Sequence, residues 1–118
     1  MSQRGDVVVV EIPYYDRPGG KQRPAVVVQC NRNNVRLLST VVAGITTNLK
    51  HVTTEPTQFL IDPATSEGTS AGLPAASAVK CENLHTVAQA RIKKTLGHLS
   101  DPLKQQLDVC LKSALEIA

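Results

Sequence analysis

The side chains best suited to chemistry in this sequence are cations, hydroxyls and amides near turns. No acidic residue occurs between Asp16 and Glu55, and this stretch of 38 residues contains six Lys and Arg side chains: Arg17, Lys21, Arg23, Arg32, Arg36 and Lys50. Cations without acidic partners neutralise phosphates, and this gives affinity for nucleic acid without contacts to bases. The charge pattern alone favours a phosphate-binding face and an unevenly charged, solvated surface about equally.

The common catalytic and metal-binding motifs are missing from the chain. There is no P-loop, no dinucleotide-binding glycine pattern, no HExxH and no GxSxG. The three histidines lie far apart, at His51, His85 and His98. That spacing does not suit a set of metal ligands, so no metal site is expected.

Length and composition indicate a single small domain, residues 1–118, with an aliphatic core. The chain is 42% hydrophobic but only 3% aromatic, so aliphatic side chains must build the core and rings for base stacking are scarce. The sequence has no apolar run long enough for a spanning helix and no signal peptide, which predicts a cytoplasmic protein. The cysteines form no CxxC pair, so we expect buried thiols at Cys30, Cys81 and Cys110.

The elements that must position these side chains are strands over the first two thirds of the chain. Runs rich in β-branched residues predict strands at 6–12, 24–30, 35–45, 57–61, 77–82 and 92–96. The first two form a hairpin around a turn-rich stretch that includes Pro18, Gly19 and Gly20, and 31–34 is a polar turn. Short strands at this spacing predict a small β-barrel.

The last 19 residues change to a helical period. Ser100 is a suitable N-cap, Asp101 suits the positive end of the helix dipole, and Pro102 is tolerated in a first turn. Apolar side chains then recur at helical spacing, at Leu103, Leu107, Cys110, Leu111 and Ala114. We expect this amphipathic helix to pack on the barrel.

Five blocks of the sequence together resemble a known toxin family. They are RGDVVVVEI at 4–12, KQRPAVVVQ at 21–29, VVAGITTNLK at 41–50, AGLPAASAVKCENLHTVAQARI at 71–92 and LGHLSDPLKQQLDVCLKSALEI at 96–117. Their order and spacing are similar to those of the MazF/PemK (Kid) toxins. The resemblance implies a mainly β fold with a C-terminal helix, a small SH3-like (CcdB/MazF-type) β-barrel. It also implies a homodimeric, sequence-specific endoribonuclease, an mRNA interferase, that is neutralised by a MazE-like antitoxin.

The resemblance also implies catalytic residues. Arg23 matches the family's catalytic arginine, and Thr46 matches its active-site threonine. Lys80 and Glu82 stand where the Kid branch has an arginine and an aspartate, so the charge is kept while the side-chain length changes. RNA carries its own nucleophile, the 2′-hydroxyl, so the expected reaction needs no metal or other cofactor. Glu82 is the preferred general base on acidity, with His85 as the alternative.

Other positions are expected to contact single-stranded RNA. Asn83 stands where relatives carry a glutamine, and His85 replaces an arginine. The remaining RNA contacts are predicted at Arg17, Lys21, Gln22, Thr47, Asn48, Lys50 and Lys80. Tyr14 and Tyr15 either stack on a base or pack over an end of the barrel.

Two alternatives to an enzyme stay open from the sequence. A gyrase-binding toxin of the CcdB type shares the barrel, but its gyrase contact resembles a Trp-Gly-Ile ending, whereas this chain ends Glu116, Ile117, Ala118 and has no Trp. A degenerate barrel that only binds RNA or an antitoxin is the other alternative, because His85 and the loop before Arg23 depart from the family pattern.

Overall fold

The computed structural model describes all 118 residues, which form six strands and two α-helices. In chain order these are β1 (Asp6–Pro13), β2 (Gly20–Val27), α1 (Asn31–Arg36), β3 (Ser39–Thr46), β4 (Gln58–Ile61), β5 (Ser77–Ala88), β6 (Lys94–His98) and α2 (Asp101–Leu115). Two single 3₁₀ turns, Thr69–Ala71 and Gln89–Arg91, flank β5. Neither helix is long and apolar enough to cross a membrane.

All six strands belong to one antiparallel sheet with the order β4-β5-β3-β2-β1-β6. The two edge strands, β4 and β6, do not pair with each other, so the ring of strands stays open at that point. The fold class is confirmed: a mainly β protein of the barrel-like type with a C-terminal helix.

The Val-rich run of β1 forms the predicted hairpin with β2 and is buried on both faces. Val7 lies in the larger of two hydrophobic clusters, whereas Val8 and Val10 lie in the smaller one on the other side of the sheet. Burial on both faces explains why the run shows no alternation of apolar and polar residues. The hairpin register pairs Pro13 with Gly20, so residues 14–19 form the connecting loop.

The larger cluster is covered by α2, as the helical period predicts. Leu103, Leu107 and Cys110 are buried against the sheet, and Leu111 and Ala114 pack at the margin. Ser100 holds the N-cap position, but its hydroxyl caps no helical amide. Its Oγ instead donates to the carbonyl oxygen of Glu67 at 2.8 Å and ties the helix start to the preceding connection.

The segment after β2 was predicted incorrectly. Residues 31–36 form the short helix α1 rather than a polar turn leading directly into a strand, and β3 begins only at Ser39. Asn34 is 1% exposed, and its Oδ1 accepts hydrogen bonds from Thr40 Oγ1 at 2.7 Å and Gln29 Nε2 at 2.9 Å. A buried amide that finds these partners stabilises the helix in a segment whose composition is typical of a turn.

Two further expectations about local structure need correction. Cys30, at the N-cap position of α1, is exposed, whereas Cys81 and Cys110 are buried as expected. The strand predicted at 77–82 continues to Ala88, because its second half pairs with β3 beyond an irregularity in the register.

Candidate active site

One cleft collects five of the residues that the sequence singles out. The cleft has a volume of about 520 Å³, and the five residues are Arg23 from β2, Thr46 from β3 and Lys80, Asn83 and His85 from β5. The rest of its lining comes from the first hairpin and from β3, namely Ile12, Pro13, Tyr14, Tyr15, Gly44 and Ile45. Three strands that are distant in sequence therefore place cations, a hydroxyl, an amide and an imidazole around one space.

The cleft is cationic and contains no acid. None of its 11 lining residues is Asp or Glu. The chain forms two ion pairs, Arg4 with Asp108 at 2.7 Å and Lys104 with Asp101 at 4.0 Å, and both lie elsewhere. The guanidinium of Arg23 is therefore free to bind an anionic ligand, and so is the ammonium of Lys80.

Thr46 ends β3 with its hydroxyl already oriented. Its Oγ1 accepts a hydrogen bond from the backbone amide of Asn48 at 3.1 Å. Because that bond occupies a lone pair of the oxygen, the hydroxyl proton stays available for donation to a ligand in the cleft. Asn48 Oδ1 in turn accepts from the amide of Lys50 at 3.0 Å, which fixes the turn that follows the strand.

A bulge in β5 decides which side chains of that strand face the cleft. Lys80 pairs with Gly44, but the next pair is Leu84 with Ala43. The three residues 81–83 of β5 therefore have no partner on β3. On a regular strand, Lys80 and the residue two further along would share a face. The bulge reverses the alternation, and Asn83 and His85 line the cleft instead.

Glu82 is consequently directed away from the lining of the cleft. Its Oε1 accepts from Thr57 Oγ1 at 2.9 Å and its Oε2 from Gln58 Nε2 at 2.7 Å, so both oxygens are bound to the segment that starts β4. Burial acts to raise the pKa of Glu82, but its backbone amide, these two donors and the charge of Lys80 outweigh burial and lower that pKa. The role of Glu82 as general base stays a prediction, and the geometry makes it an anchor between β4 and β5.

The residues that precede Arg23 on β2 lie on opposite faces of the strand. Arg23 pairs with Val10, and alternation along β2 places Lys21 on the same face as Arg23. Gln22 faces the opposite way and lines a separate depression with Glu11. The structure therefore does not bring Gln22 to the cleft.

The remaining predicted RNA contacts do not line the cleft. Thr47, Asn48 and Lys50 are exposed on the segment that follows Thr46. Arg17 lies in the 14–19 loop, and its guanidinium carbon stands 4.1 Å from the centre of the Tyr14 ring. Thr47, Asn48 and Lys50 follow the lining residue Thr46 in sequence, and Arg17 shares a loop with the lining residues Tyr14 and Tyr15.

The structure contains no cluster of three or more His, Cys, Asp or Glu side chains that would hold a metal ion. The site thus consists of cations, a hydroxyl, an amide and a single imidazole around a space open to solvent. Such a set can bind a phosphodiester, stabilise negative charge that develops on it, and exchange a proton through the imidazole.

The open antiparallel sheet, the C-terminal helix and the cationic cleft are those of a class of small barrel-like β proteins. Within that class, this chain belongs to the PemK-like, MazF-like toxins of type II toxin-antitoxin systems, whose family model matches residues 3–115.

A curated relative and several solved structures are similar over nearly the whole chain. Endoribonuclease MazF9 of Mycobacterium tuberculosis is 31% identical over 124 residues, which cover 99% of this chain and 98% of the relative. An endoribonuclease in complex with its cognate antitoxin, from a mycobacterial species, superposes with a TM-score of 0.79 at 20% identity, covering 100% of this chain and 98% of that one. A MazE-MazF complex from Deinococcus radiodurans gives 0.71 at 17% identity, covering 99% and 98%.

Proposed function

We propose that this toxin is an endoribonuclease that cleaves single-stranded RNA, including mRNA, and thereby inhibits translation and growth. The observation that carries the proposal is the acid-free cleft in which Arg23, Lys80 and Thr46 stand unpaired with any carboxylate. The relative named an endoribonuclease, similar over 99% of this chain, supports the same activity. The proposed place of action is the cytoplasm, where mRNA is translated.

The proposed reaction is an internal transfer at one phosphodiester. The 2′-oxygen of a ribose attacks the adjacent phosphorus and loses its proton, the bond from phosphorus to the 5′-oxygen breaks, and that oxygen gains a proton. The products are a 2′,3′-cyclic phosphate and a 5′-hydroxyl, and the nucleophile comes from the substrate. Negative charge builds on the phosphorane, where the planar donors of Arg23, the charge of Lys80 and the hydroxyl of Thr46 stabilise it.

Two side chains compete for the role of general base. His85 lines the cleft, and a neutral imidazole has one nitrogen that can accept a proton. Glu82 is ionised at neutral pH, but both its carboxylate oxygens accept hydrogen bonds outside the cleft lining. We assign the proton transfer to His85 and the positioning of the β5 bulge to Glu82.

The partners follow from the same electrostatics. We propose that a MazE-like antitoxin inserts an acidic, partly disordered segment into the cleft, because it must compete with RNA for the same cations. The toxin is proposed to be a homodimer. Asn83, Lys21, Arg17 and the 47–50 segment are proposed to bind RNA on either side of the scissile phosphate.

The experiment that tests this function uses long, varied single-stranded RNA. Wild type is incubated with the RNA in excess EDTA and the ends are mapped, and Arg23→Ala and Thr46→Ala are run beside it. Cleavage at a short recurring sequence is expected, with a loss of roughly 100-fold or more in each variant.

Matched controls keep the test specific to the cleft. Arg32→Ala removes an exposed arginine of the same acid-free stretch, and Thr95→Ala removes an exposed threonine of β6; neither side chain lines the cleft. Both controls should cleave at the rate of wild type. Intact RNA with wild type, together with toxicity that tracks DNA breaks, would refute the proposal in favour of a gyrase-directed toxin. RNA that is bound but never cut would indicate a degenerate barrel.

A further inference from the structure

The mouth of the cleft carries two of the three aromatic residues of the chain. Phe59 is buried in the core at 4% exposure, whereas Tyr14 and Tyr15 are consecutive in the 14–19 loop and both line the cleft. The side chain of Tyr15 is 99% exposed. A fully exposed ring removes no apolar surface from water, so Tyr15 contributes almost nothing to folding.

Tyr14 differs from its neighbour because its ring already has a partner. The guanidinium of Arg17 lies over the ring, with its carbon 4.1 Å from the ring centre. The backbone amide of Tyr14 also donates to the carbonyl oxygen of Gly19 at 3.0 Å. These contacts occupy Tyr14 and fix the start of the loop.

The backbone of the 14–19 loop is therefore restricted on both sides of Tyr15. Gly19 has a φ of +90°, a conformation that favours glycine and lets the short loop close onto β2. The two prolines that bracket the tyrosines, Pro13 and Pro18, restrict the backbone further. A ring held on a partly fixed loop loses less conformational entropy when a ligand covers it.

We propose that Tyr15 forms a base-stacking subsite of the cleft, which binds the face of a nucleobase next to the scissile phosphate. The inference rests on the proposed ribonuclease function. Arg23 and Lys80 supply charge for the phosphate, but no other exposed ring lines the cleft to hold a base. Stacking accepts every base because each has a π face, so Tyr15 supplies affinity rather than the identity of the cleaved sequence.

Binding is measured with a single-stranded RNA whose 2′-hydroxyl at the cleavage site is replaced by hydrogen, so that it cannot react. Tyr15→Ala should weaken binding about 5- to 100-fold, the range for loss of one stacked base. Tyr15→Phe should bind within about twofold of wild type, because it keeps the ring. Leu38→Ala, which removes another exposed apolar side chain outside the cleft, should not change binding.

On cleavable RNA the same variants separate affinity from recognition. Tyr15→Ala should raise KM by the factor by which binding falls, while kcat and the cleaved sequence stay those of wild type. An abasic nucleotide at the stacked position should weaken wild type to the level of Tyr15→Ala and should weaken that variant no further.

A spectroscopic readout reports the stack directly, since the chain has no Trp and only two Tyr. In Tyr14→Phe the emission comes from Tyr15 alone, and in Tyr15→Phe from Tyr14 alone. The uncleavable RNA should quench the emission of Tyr14→Phe strongly and that of Tyr15→Phe little.

Three results would overturn the subsite: binding by Tyr15→Ala within twofold of wild type, equal losses in Tyr15→Ala and Tyr15→Phe, or stronger quenching in Tyr15→Phe. Each is distinguishable from failure of the proposed function, in which wild type itself neither cuts nor binds the RNA.

Discussion

At the residue scale, the pair Glu82 and His85 shows how hydrogen bonds assign roles to titratable groups. Both lie on β5, three residues apart, yet only His85 lines the cleft. Glu82 accepts hydrogen bonds from Thr57 and Gln58, which keep its carboxylate on the β4 side of the strand. A group that is already bound elsewhere must break those bonds before it can take a proton from RNA.

The first prediction compares the pH dependence of two variants. Glu82→Gln should give a pH profile of cleavage with the same shape as that of wild type. Its rate should be lower at every pH, because Gln keeps only part of the hydrogen bonding to Thr57 and Gln58 and carries no charge. His85→Gln should lose the limb of the profile that reports the base, with a rate decrease of about 10²- to 10⁴-fold. Initial rates on one RNA across pH show which residue is the general base. If Glu82→Gln lacks this limb of the profile, Glu82 is the general base instead of His85.

Glu82 should also make stability depend on pH. Its pKa in the folded state lies below the ordinary value of 4.5, so it stabilises the folded state above that pH. This stabilisation is lost as pH falls through the folded pKa, because the unfolded chain binds the proton more readily. Urea unfolding of wild type and Glu82→Gln should therefore give free energies of unfolding that converge toward low pH. A constant difference at every pH would contradict the predicted linkage.

The cysteines give a third prediction, also at this scale. Burial, with smaller contributions from Cys110 and Glu82, raises the pKa of Cys81 to about 12, and burial also raises the pKa of Cys110. A thiol that stays protonated and buried does not react with a disulfide reagent, whereas Cys30 is exposed. One equivalent of thiol should react with the folded protein near pH 8, and three after unfolding. Cys30→Ser should abolish the reaction of the folded protein.

At the scale of elements, α2 illustrates how one apolar stripe completes a core. Leu107 is fully buried in the larger cluster, whereas Val109 on the same helix is 66% exposed. The stripe was readable from sequence because a helix that covers a sheet must place apolar residues every three or four positions.

The fourth prediction tests that packing. Leu107→Ala should lower the free energy of unfolding by about 2–5 kcal/mol, since it removes buried methyl groups and leaves a cavity. Val109→Ala is the matched control, and a change of no more than about 0.5 kcal/mol is expected there, as for other exposed sites. Chemical denaturation of both variants provides the comparison; similar losses in the two would mean that α2 packs through a different face.

The elements that were mispredicted share a cause. Residues 31–34 have the composition of a turn, but the buried contacts of Asn34 stabilise a helix there. The β5 bulge was likewise missed, because the predicted strand ended at Glu82 and the pairing of β5 with β3 beyond that point was not expected. Both features depend on partners that are distant in sequence, and local propensity does not report such partners.

At the scale of the whole molecule, the net charge is only +3, but the cationic and acidic side chains are separated along the chain. This separation leaves a region of positive charge that can attract a polyanion. The cleft holds Arg23 and Lys80 without a carboxylate, while the acids that do pair, Asp101 and Asp108, lie on or beside α2. Binding of a polyanion at such a site releases counterions and is therefore sensitive to salt.

The fifth prediction uses that sensitivity. The logarithm of the affinity for uncleavable single-stranded RNA should fall linearly with the logarithm of the salt concentration. Arg23→Ala should make this slope shallower by about 0.7, the value for one phosphate contact on a single strand. Arg32→Ala, whose side chain lies outside the cleft, should keep the slope of wild type. A slope that responds equally to both variants would show diffuse attraction rather than a defined phosphate site.

The sequence by itself determined the family, the mainly β fold with its C-terminal helix, and a set of candidate site residues that includes Arg23, Thr46, Lys80, Glu82, Asn83 and His85. The fold follows from local periodicity, whereas the family and the candidate residues follow from the resemblance carried by motifs kept in order along the chain. Only the tertiary structure decided which of the candidates lie together, since the bulge places Asn83 and His85 in the cleft and turns Glu82 away. The physical reason is that side-chain direction on a strand depends on its register with β3 and β4, and that register is set by long-range pairing.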